Sequence, residues 1–163
     1  MRIAGFSLLI LILMSACTST VNTEKRIRTT VSGEMLFSGP SSLQAPVSNS
    51  ASALAEELNI DVADLSSIGV SAIEISLADE QAKVAESLLL QIVSNNNEMT
   101  ALGTLSPLKG GTSFDLKVAE EIDLLPFMKD EGATWVLDVN LSEDIMDEMQ
   151  ATADLTLRIN HKN

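Results

Sequence analysis

One cysteine, one histidine, one tryptophan and no tyrosine stand among 163 residues, and each scarcity closes a route to function. A single thiol, Cys17, cannot make an internal disulfide, so the folded chain must rest on its apolar core alone. The one imidazole, His161, sits close to the C-terminus in a segment expected to fray. No further cysteine is present to act as nucleophile beside it, so a histidine-based catalytic set is not expected. The chain contains no glycine-rich phosphate loop, no zinc-type spacing and no GxSxG stretch. Aromatic residues are nearly as rare. Beyond residue 16 only Phe37, Phe114, Phe127 and Trp135 occur, which argues against stacking platforms for sugars or single-stranded nucleic acid.

Positive charge is the next shortage. Ten basic side chains face 23 acidic ones, a formal net charge of −13. Nucleic-acid binding depends on Lys and Arg neutralising phosphates, so no nucleic-acid partner is expected. Three of the bases, Lys25, Arg26 and Arg28, lie close together. They fit either attraction to anionic lipid headgroups, worth about 1 kcal/mol each near a membrane, or the solvated face of a strand.

What the chain does have is an oily start. Arg2 follows Met1, and from Ile3 to Met14 every residue is apolar except Gly5 and Ser7. Ser15 and Ala16 then narrow the chain before Cys17. A positive start, a short apolar centre and small residues at the cut are the layout of a secretory signal. The run is shorter than the roughly 18 residues that a membrane-spanning helix requires.

Met14-Ser15-Ala16-Cys17 resembles the cleavage motif of a bacterial lipoprotein precursor, with apolar Met14 where leucine is commonest. The resemblance covers about the first eighteen residues. It implies that the Cys17 sulfur receives a diacylglyceryl group and that the leader is cut just before it. The new amino group is often acylated too, with palmitate as a typical chain. Two acyl chains anchor durably, at about 0.8 kcal/mol per buried methylene. Thr18, rather than Asp, after the cysteine implies the outer membrane if the source is Gram-negative. The alternative, a plain signal cut elsewhere, leaves Cys17 as a free or buried thiol. Loss of the leader removes one base, Arg2, and no acid, moving the formal charge from −13 to −14.

The expected organisation is a signal over 1–16, a lipidated polar tether over 17–25 and one domain over 26–163. Within that domain the apolar spacing is mostly two. Ile27, Thr29 and Val31 alternate with polar or charged neighbours, as do Ile73, Ile75 and Leu77 with theirs; Phe114, Leu116 and Val118 follow the same rule. Trp135, Leu137, Val139 and Leu141 give the clearest strand, with 151–160 as its expected partner. A helical turn over 80–85 should feed a strand over 86–94, and Asn95 to Glu98 should turn it onto another from Met99. Residues 38–53 read as a long loop. Asp61 should cap a helix from Val62 to Ile68 ending at Gly69, Asp123 should cap a turn over LLPFMK, and EDIMDEM should form a short amphipathic helix. The expected fold is all-β, an immunoglobulin-like β-sandwich of about seven strands with one or two short helices.

Two function classes stay open. The first is a non-enzymatic envelope lipoprotein that binds or scaffolds a protein partner in the cell envelope, for instance by strand addition. The second uses the acidic loops for a divalent cation or small ligand, since hard oxygen ligands suit Ca²⁺. Its candidates are Glu120, Asp123, Asp144 and Asp147, none of them in the D-x-D-x-D-G order of a dedicated loop; a solvated acidic surface is the plainer reading. Paired carboxylates could also perform hydrolysis, with no motif behind it. No cofactor is expected.

Overall fold

Strand forms almost everywhere that apolar and polar residues alternate. The computed structural model describes residues 19–162. Its strands are β1 (Thr20–Gly33), β2 (Gly39–Pro46), β3 (Leu65–Leu77), β4 (Ala85–Val93), β5 (Thr100–Leu105), β6 (Ser113–Asp115), β7 (Lys117–Val118), β8 (Thr134–Leu141) and β9 (Met149–Lys162). Three short helices accompany them: α1 (Ala51–Leu58), α2 (Asp79–Val84) and α3 (Leu125–Lys129).

The all-β class is as expected, but the second sheet of a sandwich is missing. All nine described strands join antiparallel into one sheet, in the order β6-β3-β9-β1-β2-β8-β4-β5-β7, which nearly closes into a barrel. Alternation says only that each strand has one face to bury; a curled sheet buries that face against itself. Bulges supply the curl. Against β9, β3 carries an extra residue between Leu65 and Ser67 and another between Val70 and Ala72. β4 carries one between Ala85 and Ser87 against β8, and β5 one between Ala101 and Gly103 against β4. Each bends its strand and tightens the local twist.

A single stretch of chain closes one side. β6 pairs with β3 through Phe114↔Ile75, and β7 pairs with β5 through Val118↔Gly103. Between them the Leu116 amide donates to the Ile73 carbonyl oxygen at 2.9 Å. The two edges of the sheet are thus consecutive pieces of one strap. The other side stays loose. β1 and β2 pair only at Ser32↔Gln44, because β2 is short and holds Pro40 and Pro46, which have no N–H to donate. β1 runs on past the end of β2, with one edge on β9 and the other, from Thr20 to Thr30, unpaired by any strand among the described residues.

The interior is solid. Trp135, Leu137, Val139 and Leu141 of β8 pack with Leu88, Leu90 and Ile92 of β4, Leu155, Leu157 and Ile159 of β9, and Ile73 and Ile75 of β3, all at most 2% exposed. Burying each such side chain stabilises the fold by roughly 1.5–3 kcal/mol. One end is stoppered by α1 and α3, which bury Leu54, Ala55, Leu125, Phe127 and Met128. Ser50 caps α1 by accepting from the Ala53 amide. Asn59 ends it in the left-handed conformation (φ 55°), where the Ile60 amide returns to the Ala55 carbonyl oxygen at 3.0 Å.

Several local expectations need correction. Residues 20–25 are strand rather than tether, and 38–53 contains β2 and the start of α1. Asp61 does cap, accepting from the Ala63 amide at 2.8 Å, but the helix is one 3-10 turn, Val62–Asp64. Gly69 is inside β3. EDIMDEM is not helical: Ile145 makes a lone bridge to Leu36. β8 pairs with β2 and β4, while β9 lies between β1 and β3. The helix-then-strand reading of 80–94 matches α2 and β4 closely.

Strand directions define two ends. Thr20, Lys162, α1, α3 and the turn after β4 share the terminal end. The turn after β1, helix α2 and the loop after β8 share the far end. β9, with 14 residues, spans the distance between them, roughly 45 Å at about 3.3 Å per residue.

Candidate functional site

Cys17, on which the expected acylation falls, lies outside the described residues. Three residues on, Thr20 already pairs with Lys162 and opens β1.

The acidic candidates are divided between the ends. Glu120 and Asp123 follow β7 at the terminal end, whereas Asp144 and Asp147 follow β8 at the far end. About ten strand residues separate the pairs, roughly 30 Å, so no single ion could meet all four. Asp123 is also committed: its Oδ1 accepts from the Ile68 amide at 2.9 Å and the Leu125 amide at 3.0 Å, seating α3 against β3. Asp144 Oδ1 accepts from the Ser38 amide at 2.8 Å. Among the described residues no group of three or more His, Cys, Asp or Glu is placed to hold a metal ion.

A polar cleft of about 290 Å³ lies beside Glu120 and Asp123, lined also by Asn22, Ser67, Arg158 and Asn160. Its amide groups bond to one another. Asn22 Nδ2 donates to Asn160 Oδ1 at 2.8 Å, and Asn160 Nδ2 donates to Ser67 Oγ at 2.9 Å. These are rungs of a side-chain ladder across β1, β9 and β3, which steadies the strands.

The three clustered bases are taken up in the same way. Lys25 pairs with Glu57 of α1. Arg28 stands directly opposite Asp154 and grips it with two hydrogen bonds, Nε to Oδ1 and a terminal nitrogen to Oδ2, both 2.9 Å. Arg26 reaches Asp154 at 3.4 Å and Glu74 at 3.2 Å. These pairings fit the strand-face reading of the three bases. Asp154 is only 8% exposed beneath the two guanidinium groups. Hydrogen bonds from Arg28 hold its carboxyl below the ordinary carboxylate range; burial opposes this, and the charges of Arg26 and Arg28 add to it.

A depressed carboxyl contributes stability that is complete above its unfolded pKa, about 3.9 for Asp, and vanishes as pH falls through the folded value. Asp154→Asn should accordingly melt lower than the parent by a constant margin between pH 7 and about 5, and the margin should shrink below about pH 4. Paired thermal melts across that range check it; a margin independent of pH down to 2 would remove the ion pair from the account.

His161 is not a frayed tail residue. It belongs to β9 opposite Val21 and Leu65 and is 9% exposed. A carbonyl oxygen only accepts, so Nδ1–H donates to the Lys162 carbonyl oxygen (3.1 Å) and Nε2 is left to accept from the Thr23 hydroxyl (3.5 Å). Both nitrogens are used structurally.

The surface missed in the sequence is at the far end. Leu36 and Ile145 exchange backbone hydrogen bonds of 2.9 and 2.8 Å. Their neighbours Met35, Phe37 and Met146 turn outward, 62%, 62% and 65% exposed. The one signal for it was three consecutive apolar residues, Met35-Leu36-Phe37, in a turn punctuated by Gly39-Pro40.

No protein-family model matches this chain, and no curated protein does. Among solved structures it is similar to turnip yellow mosaic virus, with 8% identity, a TM-score of 0.36, and 99% of this chain and 91% of that one covered. Desmodium yellow mottle tymovirus gives 9% identity and a TM-score of 0.32 over 88% and 90% of the two chains.

Proposed function

We propose that this chain is a lipid-anchored lipoprotein of the cell envelope, on the outer membrane if the source is Gram-negative, whose non-enzymatic barrel binds or scaffolds a partner on its outer surface. The observation that carries the reading is the placement of the chain ends. Thr20 and Lys162 pair at one end of the barrel, and three residues of extended chain reach at most about 10 Å. An acylated Cys17 would seat the terminal end at the bilayer and hold the far end away from it, by at most the roughly 45 Å length of β9. The solid interior supports binding on the outside rather than within. So does the unpaired edge of β1, which leaves room for an added strand.

Intact-mass measurement of the full chain purified from its native host tests the anchor. The expected mass is that of a chain beginning at an acylated Cys17, and Cys17→Ser should leave the leader attached and the lipid absent. Recovery of an unmodified Cys17 would overturn the proposal.

A further inference from the structure

The far end of the barrel combines two features that the anchor does not explain. One is the exposed apolar trio Met35, Phe37 and Met146. Leu36 is buried and Ile145 packs partly buried against the core, while Met35, Phe37 and Met146, their chain neighbours on the two sides of the bridge, are exposed. Large apolar side chains grouped at such exposure mark an interaction surface rather than scattered surface residues, and methionine adapts to the shape of a partner.

The other feature is the chemistry around the trio. A groove of about 400 Å³ between α2 and the loop after β8 is lined by Gln81, Val84, Met146, Glu143, Asp147 and Glu148. Gln81 donates through Nε2 to the Glu148 carbonyl oxygen at 3.3 Å, while its buried Oε1 has no hydrogen-bond partner. Glu34 precedes Met35 on the other side. The loop from Ser142 to Glu148 and the turn from Glu34 to Ser38 contain no base. The nearest one on α2, Lys83, is engaged by Glu80. Ionised carboxylates only accept, so a matching surface must supply N–H donors and positive charge.

We infer that the far end is the docking site for a basic, amphipathic segment of a partner protein, with Lys or Arg side chains flanking an apolar one. The apolar residue covers Phe37 and Met146, and the cations meet Glu143, Asp147 and Glu148. A second copy of this chain would bring carboxylates against carboxylates, and anionic headgroups would be repelled in the same way. The inference rests on the reading that binding occurs on the outer surface and is independent of acylation at Cys17.

The test uses the full chain, in phosphatidylcholine nanodiscs if acylated and free in buffer if not, so that failure of the anchor and failure of the docking site give different results. Fluorescence anisotropy follows a labelled synthetic peptide, KLKFKLK, against ELEFELE and KSKSKSK. Binding of the first should be at least tenfold tighter than of either control. Phe37→Ser with Met146→Ser should weaken it about tenfold, and Glu143→Gln with Asp147→Gln and Glu148→Gln should weaken it and flatten its salt dependence. Glu120→Gln with Glu121→Gln, at the opposite end, should leave it unchanged. These positions are exposed, and unaltered melting curves will show that the variants fold. The inference is overturned if KLKFKLK does not bind, or if the terminal-end variant weakens it equally. It is also overturned if sedimentation reveals a dimer that Phe37→Ser dissolves, or if protein-free vesicles capture the chain through Phe37.

Discussion

Gly103→Val is expected to lower unfolding free energy by about 3 kcal/mol, a fall in melting temperature of roughly 6–12 °C for a chain of this size. Gly103 sits where the strap crosses from β3 to β5. A Cβ built there would lie 2.8 Å from Ile73 Cδ1, 3.2 Å from Leu116 Cβ and 3.3 Å from the Lys117 carbonyl oxygen. The methyl end of Ile73 could move if there were room, but Ile73 is itself 1% exposed, and the other two contacts are backbone or next to it. A larger residue must push the strap outward and break the pairing of Val118 with Gly103. Gly103→Ala should show a smaller loss in the same direction. Urea unfolding followed by far-ultraviolet circular dichroism measures both, and an unchanged midpoint for the valine variant would show that the barrel is not closed at this point.

The second large effect is expected at Trp135. It is the bulkiest of the fully buried side chains, 1% exposed, on β8 between β2 and β4. Truncation to alanine leaves a cavity that neighbours on a curled, hydrogen-bonded sheet cannot collapse to fill, a cost of about 3–5 kcal/mol. Domains of this kind have about 5–15 kcal/mol in total, so Trp135→Ala should be near the edge of folding at 37 °C. Phe37→Ala is the contrast within the same molecule: an aromatic residue of similar class, exposed at the far end, whose loss should stay within about 0.5 kcal/mol. Similar losses from the two would mean that Trp135 is not at the centre of the core.

Much of this fold is legible in the sequence, and the errors have separate physical causes. The buried residues of β3 are Leu65, Ile68, Val70, Ile73, Ile75 and Leu77. Two of their spacings are three rather than two, and each falls at a bulge. Val62 to Ile68 reads as a helix because Asp61 and Gly69 suit its two caps, and the bulged spacing of β3 does not contradict that reading. β2 escapes notice because Leu43 is its single fully buried residue and its prolines signal a loop. The sandwich fails for a different reason: alternation fixes which face is buried and is silent on what buries it. The site is less legible still. Acidic residues clustered in sequence, such as Asp123 and Asp144, bond to amides at opposite ends of the barrel. The apolar trio is assembled only when the turn after β1 meets the loop after β8.

The full-length pairing of β1 with β9, from Thr20↔Lys162 to Gly33↔Met149, has a consequence for the order of events in synthesis. The first strand to be made rests on the last, and β9 also separates β1 from β3. The sheet therefore cannot assemble until the final strand is available, and most of its contacts join distant parts of the chain, which slows folding. A nascent chain lacking those last residues lacks the strand against which both β1 and β3 pair.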